Sequence, residues 1–126
     1  MVGLLLITHD HLGQTMLDIV EQAYINLDLP ARCLPIYPDS DPAICIEKAR
    51  ALAETVNQGD GILVLTDIFG ATPANIAQQL LNENTVVIHG LSLPMLFRIF
   101  NYPNLSLAEL LDKAIAAAHD GIMHQP

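Results

Sequence analysis

Val2 to Thr8 is apolar at nearly every position, without polar alternation. That pattern predicts a strand covered on both faces, as in the middle of a parallel sheet. Leu12, Met16, Ile19, Val20, Ala23 and Leu27 then recur at helical spacing. They predict a helix from near His11 to Leu27, ended by Asp28-Leu29-Pro30. Ala31 to Ile36 reads as a weaker second strand, and Pro38-Asp39-Ser40 as a turn. Asp41-Pro42 supplies an N-cap and a first helical residue; Ile44, Ala49, Leu52, Ala53 and Val56 form that helix's inner face, and Gly59 closes it. Gly61 to Thr66 is a third apolar strand. It stops at Asp67, turns at Gly70, and Thr72-Pro73 opens a third helix that runs to Leu81, with Thr72 as N-cap and Pro73 as first helical residue. Thr85 to His89 is a fourth strand, and Leu93-Pro94 begins a short helix ending near Asn101-Tyr102-Pro103. Ser106-Leu107-Ala108-Glu109 has the capping-box pattern. Its helix carries Leu107, Leu110, Leu111, Ala114, Ile115 and Ala118 on one side.

Strands that alternate with helices predict an α/β fold, a three-layer α/β/α sandwich around a mainly parallel sheet of four strands. Residues 1–126 fit one domain, long enough to bury roughly two-thirds of the surface the unfolded chain exposes. Right-handed crossovers leave few topologies. In such sheets ligands sit beyond the carboxyl ends of the strands, where strand order switches. In the common order, with strand one between strands two and three, that point lies between strands one and three. His9 follows strand one and Asp67 follows strand three, so the topology predicts that they meet.

The charge narrows the partners. The net charge is −9 and only five basic residues exist, Arg32, Lys48, Arg50, Arg98 and Lys113. They form no patch, which argues against nucleic acid and anionic membranes. A phosphate site would have to use backbone N–H groups and helix N-termini. No apolar run approaches the roughly 18 residues of a membrane span. The run Val2 to Ile7 has no basic residue before it and is too short for a signal peptide core, so it is read as a strand of a cytoplasmic protein. Cys33 and Cys45 fit neither a zinc set nor a CxxC pair and are read as free thiols in a reducing compartment.

A neutral imidazole is a good nucleophile near pH 7. If a carboxylate holds one ring nitrogen as N–H, the other keeps its lone pair for attack. Asp67 is placed for that task beside His9, and the helix opening at Thr72 is placed to hold phosphoryl oxygens. Phosphoryl transfer needs mainly in-line positioning and charge stabilisation. No cofactor and no metal are needed if the donor is itself a phosphohistidine. His11 is close enough to His9 to suggest a metal pair, but His89, His119 and His124 bring no acidic cluster beside it. Asp10 and His11 are read as solvated residues opening the first helix.

Ile7-Thr8-His9, together with the run Leu65 to Asn75 (LTDIFGATPAN) and Leu91-Ser92-Leu93-Pro94-Met95-Leu96, resembles the mannose-family IIA component of the bacterial sugar phosphotransferase system (PTS) over nearly the whole chain. The resemblance implies a phosphotransferase with a phosphohistidine intermediate. His9 would accept the phosphoryl group from phospho-HPr on the nitrogen remote from its backbone, and Asp67 would bond the other. Thr8, Gly70, Ala71 and Thr72 would line the phosphate, and a IIB component would be the acceptor. The family is typically a homodimer that exchanges a C-terminal strand, here Asp120 to Met123. Asp10 stands where the family often has glycine, and Gly70-Ala71 where it usually has two glycines. A carboxylate at Asp10 could repel a phosphoryl group or point to solvent.

Three other readings compete. One is a regulatory IIA-like protein that reports the phosphorylation state of the relay without transporting sugar. Another is a receiver-like module phosphorylated on Asp67, which lacks the carboxylate cluster for Mg²⁺ after strand one and a lysine after strand four. The last is a non-catalytic nucleotide-binding or interaction domain, which lacks a GxGxxG loop and aromatic platforms.

Overall fold

A computed structural model describes residues 1–25 and 27–126. In chain order the elements are β1 (Gly3–His9), α1 (Leu12–Ala23), β2 (Ala31–Ile36), α2 (Pro42–Val56), β3 (Ile62–Thr66), α3 (Thr72–Gln78), β4 (Thr85–His89), α4 (Leu93–Asn101) and α5 (Leu107–Asp120). The strands form one parallel sheet in the order β2-β1-β3-β4. Strand one therefore lies between strands two and three, and the switch point falls between β1 and β3.

The lack of alternation in β1 has a direct cause: helices cover both of its faces. Leu4, Leu5, Leu6 and Ile7 are all fully buried. Leu4 and Leu6 pack with Leu63 and Leu65 of β3 against α1, α4 and α5, through Leu17, Val20, Leu96, Ile99 and Leu110. Leu5 and Ile7 pack with Ile62 and Val64 against α2 and α3, through Ala49, Ala53, Ile76 and Ala77. Burying a leucine or isoleucine side chain is worth about 1.5–3 kcal/mol. Two cores sharing one central strand hold its carboxyl end, and hence His9, in a rigid frame.

Most predicted elements fall within a residue or two of the observed ones, and the differences have local causes. The first helix ends at Ala23 rather than Leu27; the predicted extension includes Asn26, which lies outside the described residues. Tyr24 is the C-cap; its hydroxyl donates to the Asn101 side chain and its ring packs on Phe97 and Phe100. In α2, Ile44 is 51% exposed, not inward, and Cys45 is buried in its place. The buried stripe is Cys45, Ala49, Ala53 and Val56, and Ile44 lies one residue, about 100°, off it. The N-cap of α3 is Ala71, with Thr72 and Pro73 as first and second helical residues. Proline is tolerated there because the second helical N–H also lacks a partner within the helix. The capping box of α5 is present in full, Ser106 with Glu109.

Asp120 is the last residue of α5 rather than the start of a strand. Within the single chain, residues 121–126 form no strand, and Ile122 and Met123 are 83% and 85% exposed. Among the described residues no helix is long and apolar enough to cross a membrane.

Candidate functional site at the carboxyl edge of the sheet

The site grows from the ends of β1 and β3. Thr8 is buried, and its Oγ1 accepts the Gly13 N–H at 2.8 Å. The N-cap residue of α1, His11, makes no capping bond of its own, so Thr8 fills that role from the strand. Gly13 permits the approach: a Cβ there would lie 3.0 Å from Thr8 Cγ2 and 3.1 Å from its Oγ1. The hydroxyl of Thr8 is thus engaged with α1, while the next residue, His9, projects outward.

Between them and the helix stands Asp10, with φ of 52°. This left-handed turn favours glycine, and aspartate is among the few other residues that adopt it readily. The Asp10 carboxylate accepts the following N–H, that of His11, at 2.8 Å, and its side chain is 73% exposed. Of the two alternatives, the structure takes the solvent-facing one. His11 turns away from His9: its Nε2 lies 2.9 Å from the Tyr37 hydroxyl, with the two rings edge to face.

His9 and Asp67 meet as the topology predicts. His9 Nδ1 lies 2.7 Å from Asp67 Oδ2. The same oxygen accepts the His9 backbone N–H at 3.0 Å, and Oδ1 accepts the Ile68 N–H at 3.1 Å. Three donors thus hold the carboxylate, which is 11% exposed, while the His9 side chain is 53% exposed. An ionised carboxylate only accepts, so Nδ1 carries the proton and the lone pair of Nε2 faces outward. Among the described residues Nε2 has no hydrogen-bond partner.

After Asp67 the chain turns through Gly70, with φ of 83°, into α3. The first ladder bond of α3 runs from the Asn75 N–H to the Ala71 carbonyl. The N–H groups of Gly70, Ala71 and Thr72 have no backbone acceptor among the described residues. Gly70 and Thr72 are exposed and Ala71 is half-buried. Leu12, Ile68 and Phe69, 47%, 57% and 70% exposed, add apolar surface on the segments that flank His9 and Asp67.

Sequence reasoning missed one contact here. Thr66 and His89 are register partners in β3 and β4, and Thr66 Oγ1 lies 2.6 Å from His89 Nδ1. The signal was available in the parallel register of two strands that both end in polar residues. Among the described residues no group of three or more His, Cys, Asp or Glu side chains is gathered to hold a metal. Cys33 lies away from the site; burial, reinforced by the charges of Asp18 and Glu21, pushes its thiol up to about 12, so it stays protonated at neutral pH.

The chain belongs to the family described as PTS system fructose IIA component (EIIA-man), whose model matches residues 3–115. Proteins of this family are phosphotransfer components. Solved structures share the fold. The mannose/sorbose specific IIA subunit from Enterococcus faecalis aligns with a TM-score of 0.86 at 19% identity, covering 99% of this chain and 95% of that one. Component EIIA from Streptococcus agalactiae aligns at 0.82 with 24% identity over 98% and 97%. A sigma-54 interaction domain protein from Enterococcus faecalis aligns at 0.78 with 18% identity over 95% and 92%. No curated protein matches the chain at a significant level.

Proposed function

We propose that this chain is a cytoplasmic phosphocarrier of the sugar phosphotransferase system, taking a phosphoryl group from phospho-HPr on His9 Nε2 and passing it to a IIB component in sugar uptake. The observation that carries this reading is the 2.7 Å contact between His9 Nδ1 and Asp67 Oδ2. In the transfer the N–P bond of the donor phosphohistidine breaks and a bond from phosphorus to His9 Nε2 forms. The donor ring leaves with the electron pair of the broken bond. The proton on His9 Nδ1 stays in place, and Asp67 offsets the positive charge that the phosphorylated ring acquires. The N–H groups of Gly70, Ala71 and Thr72 donate to the phosphoryl oxygens, a task for which this acidic chain has no cluster of basic side chains. Thr8 contributes by fixing the start of α1 beside His9.

Incubation with phospho-HPr tests the reading. The chain takes up one phosphoryl group, in a bond that acid breaks and alkali spares. A bond lost in alkali would mean an acyl phosphate, as on Asp67, and no uptake at all would refute the carrier role. The likeness to a sigma-54 interaction domain protein favours one second reading, a regulatory IIA protein that reports relay phosphorylation without sugar transport. Transfer to a IIB component separates the two.

The exposed edge of β4 supports a homodimer. β2, at the other edge, contains Pro35, which cannot donate to a further strand. β4 (TVVIH) has no such block. Beside it runs a groove lined by Ile88, Met95, Ile115 and Ile122, and Ile115 is 41% exposed. The tail of a second copy, pairing along β4, would cover both the edge and the groove. Removing residues after Asp120 is expected to weaken the dimer. Sedimentation of full-length and shortened chains measures this, and a full-length chain that stays monomeric at micromolar concentration excludes exchange.

A further inference from the structure

The turn that carries Asp67 is held from two sides. On the β1 side the Asp67 carboxylate binds both N–H groups of His9. On the β4 side three contacts hold the residues around it. Thr66, immediately before Asp67, is fully buried, and its hydroxyl has His89 Nδ1 at 2.6 Å. The Thr66 carbonyl accepts the Gly90 and Leu91 N–H groups at 3.0 and 2.9 Å. Phe69, two residues after Asp67, sets its ring edge to face against the His89 ring, with centroids 5.2 Å apart. One imidazole therefore touches the chain on both flanks of the acid.

We propose that His89 is a positioning residue for the phosphorylation site. Through Thr66 and Phe69 it holds the 66–70 turn, and so aims the Asp67 carboxylate at His9 Nδ1 and keeps the Phe69 ring in place at the rim. The proposal rests on the phosphocarrier reading only for its kinetic consequence. The physical reasons are directional. A buried threonine hydroxyl costs stability unless it is bonded, so the turn is stable only in the arrangement that keeps it beside His89. The aromatic contact adds a second constraint on a residue, Phe69, that is otherwise 70% exposed. An apolar pair at these two register positions could fill the same space but would fix no angle.

Three variants of the full chain test the idea: His89→Ala, His89→Asn, and the double variant Thr66→Val/His89→Ala. Asparagine can place an amide group close to the position of Nδ1. The double variant removes both partners and so leaves no orphaned hydroxyl, which keeps the fold from being the issue. Two quantities are read: single-turnover transfer from phospho-HPr, and the His9 tautomer by ¹⁵N chemical shifts of the ring. In His89→Ala and the double variant, transfer is expected to fall by about tenfold, the effect of losing one well-aligned bond. His9 then shifts from the Nδ1–H form to a mixture of tautomers. His89→Asn recovers most of both. Wild-type rate and an unchanged tautomer in the double variant overturn the proposal, as does an alanine defect that asparagine fails to recover. If the wild type takes up no phosphoryl group, the phosphocarrier reading fails instead, and the tautomer measurement still decides the positioning role.

Discussion

His9→Ala is expected to abolish phosphoryl uptake and leave the fold intact, whereas His11→Ala is expected to label like wild type. The two histidines are two residues apart, and only geometry separates them. His9 closes β1 with its backbone N–H and Nδ1 both on Asp67 and Nε2 open to solvent. His11 has Nε2 at the Tyr37 hydroxyl, and among the described residues no carboxylate holds its other nitrogen. The left-handed turn at Asp10 sends the two side chains to different neighbours. His9 contributes no packing to either core, so its removal costs little more than the bonds to Asp67, about 1–3 kcal/mol. The Asp67 carboxylate keeps the two backbone N–H groups of His9 and Ile68 and does not become an unpaired buried charge. Incorporated phosphate and a thermal melt of each variant measure the two halves of the expectation. Normal labelling of His9→Ala, or loss of labelling in His11→Ala, would assign the nucleophile elsewhere.

The site was legible in the sequence to the extent that it depends on strand ends and strand order. β1 and β3 announce themselves as apolar runs, each stops at a polar residue, and one topological rule brings His9 and Asp67 together. The contacts that tune the pair were not legible, because they depend on angles. The family resemblance puts Thr8 among the phosphate-lining residues, but its hydroxyl turns inward to cap α1, an approach that the glycine at position 13 permits. Thr72 before Pro73 reads as an N-cap, yet after the turn at Gly70 the extended residue Ala71 takes that place and helical geometry begins at Thr72. Asp10 reads as a solvated residue whose carboxylate either repels a phosphoryl group or points to solvent; its backbone angle shows a residue suited to the turn, with the carboxylate folded onto the next N–H. His89 is missed as a site element unless the β3–β4 register is worked out, since only that register sets it beside Thr66. Apolar periodicity likewise misplaced Ile44, since hydrophobicity marks what can be buried and not which side of a helix meets the sheet.

Asp67→Asn is expected to slow transfer from phospho-HPr by roughly 10²-fold, or about 2.7 kcal/mol in the barrier. The carboxylate serves three donors, the N–H groups of His9 and Ile68 and the His9 Nδ1–H. An asparagine has one accepting oxygen and one NH₂ group, so it cannot serve all three. If its oxygen takes the place of Oδ2, it keeps both bonds to His9 and turns the NH₂ group against the Ile68 N–H. If the oxygen takes the place of Oδ1, the NH₂ group opposes the His9 backbone N–H and donates to Nδ1. That forces the proton onto Nε2 and removes the nucleophile. Each arrangement sets one donor against another and keeps two bonds, but only the first keeps the reactive tautomer, so the remaining transfer comes from it. What then disappears is mainly the negative charge that stabilises the phosphorylated ring. In a hydrolase triad the comparable change costs about 10⁴, because there the wrong tautomer is enforced. In the proposed relay the donor is already a phosphohistidine, and the N–H groups at Gly70 to Thr72 would carry part of the phosphoryl charge, so the expected loss is smaller. Stability falls by about 1–3 kcal/mol for the opposed N–H at Ile68, and the chain stays folded because Asp67 lies at the sheet edge outside both cores. Rapid-quench transfer gives the rate of each variant, and a thermal melt gives the stability. An asparagine variant within twofold of wild type would reduce Asp67 to a turn residue and leave His9 without its orienting partner.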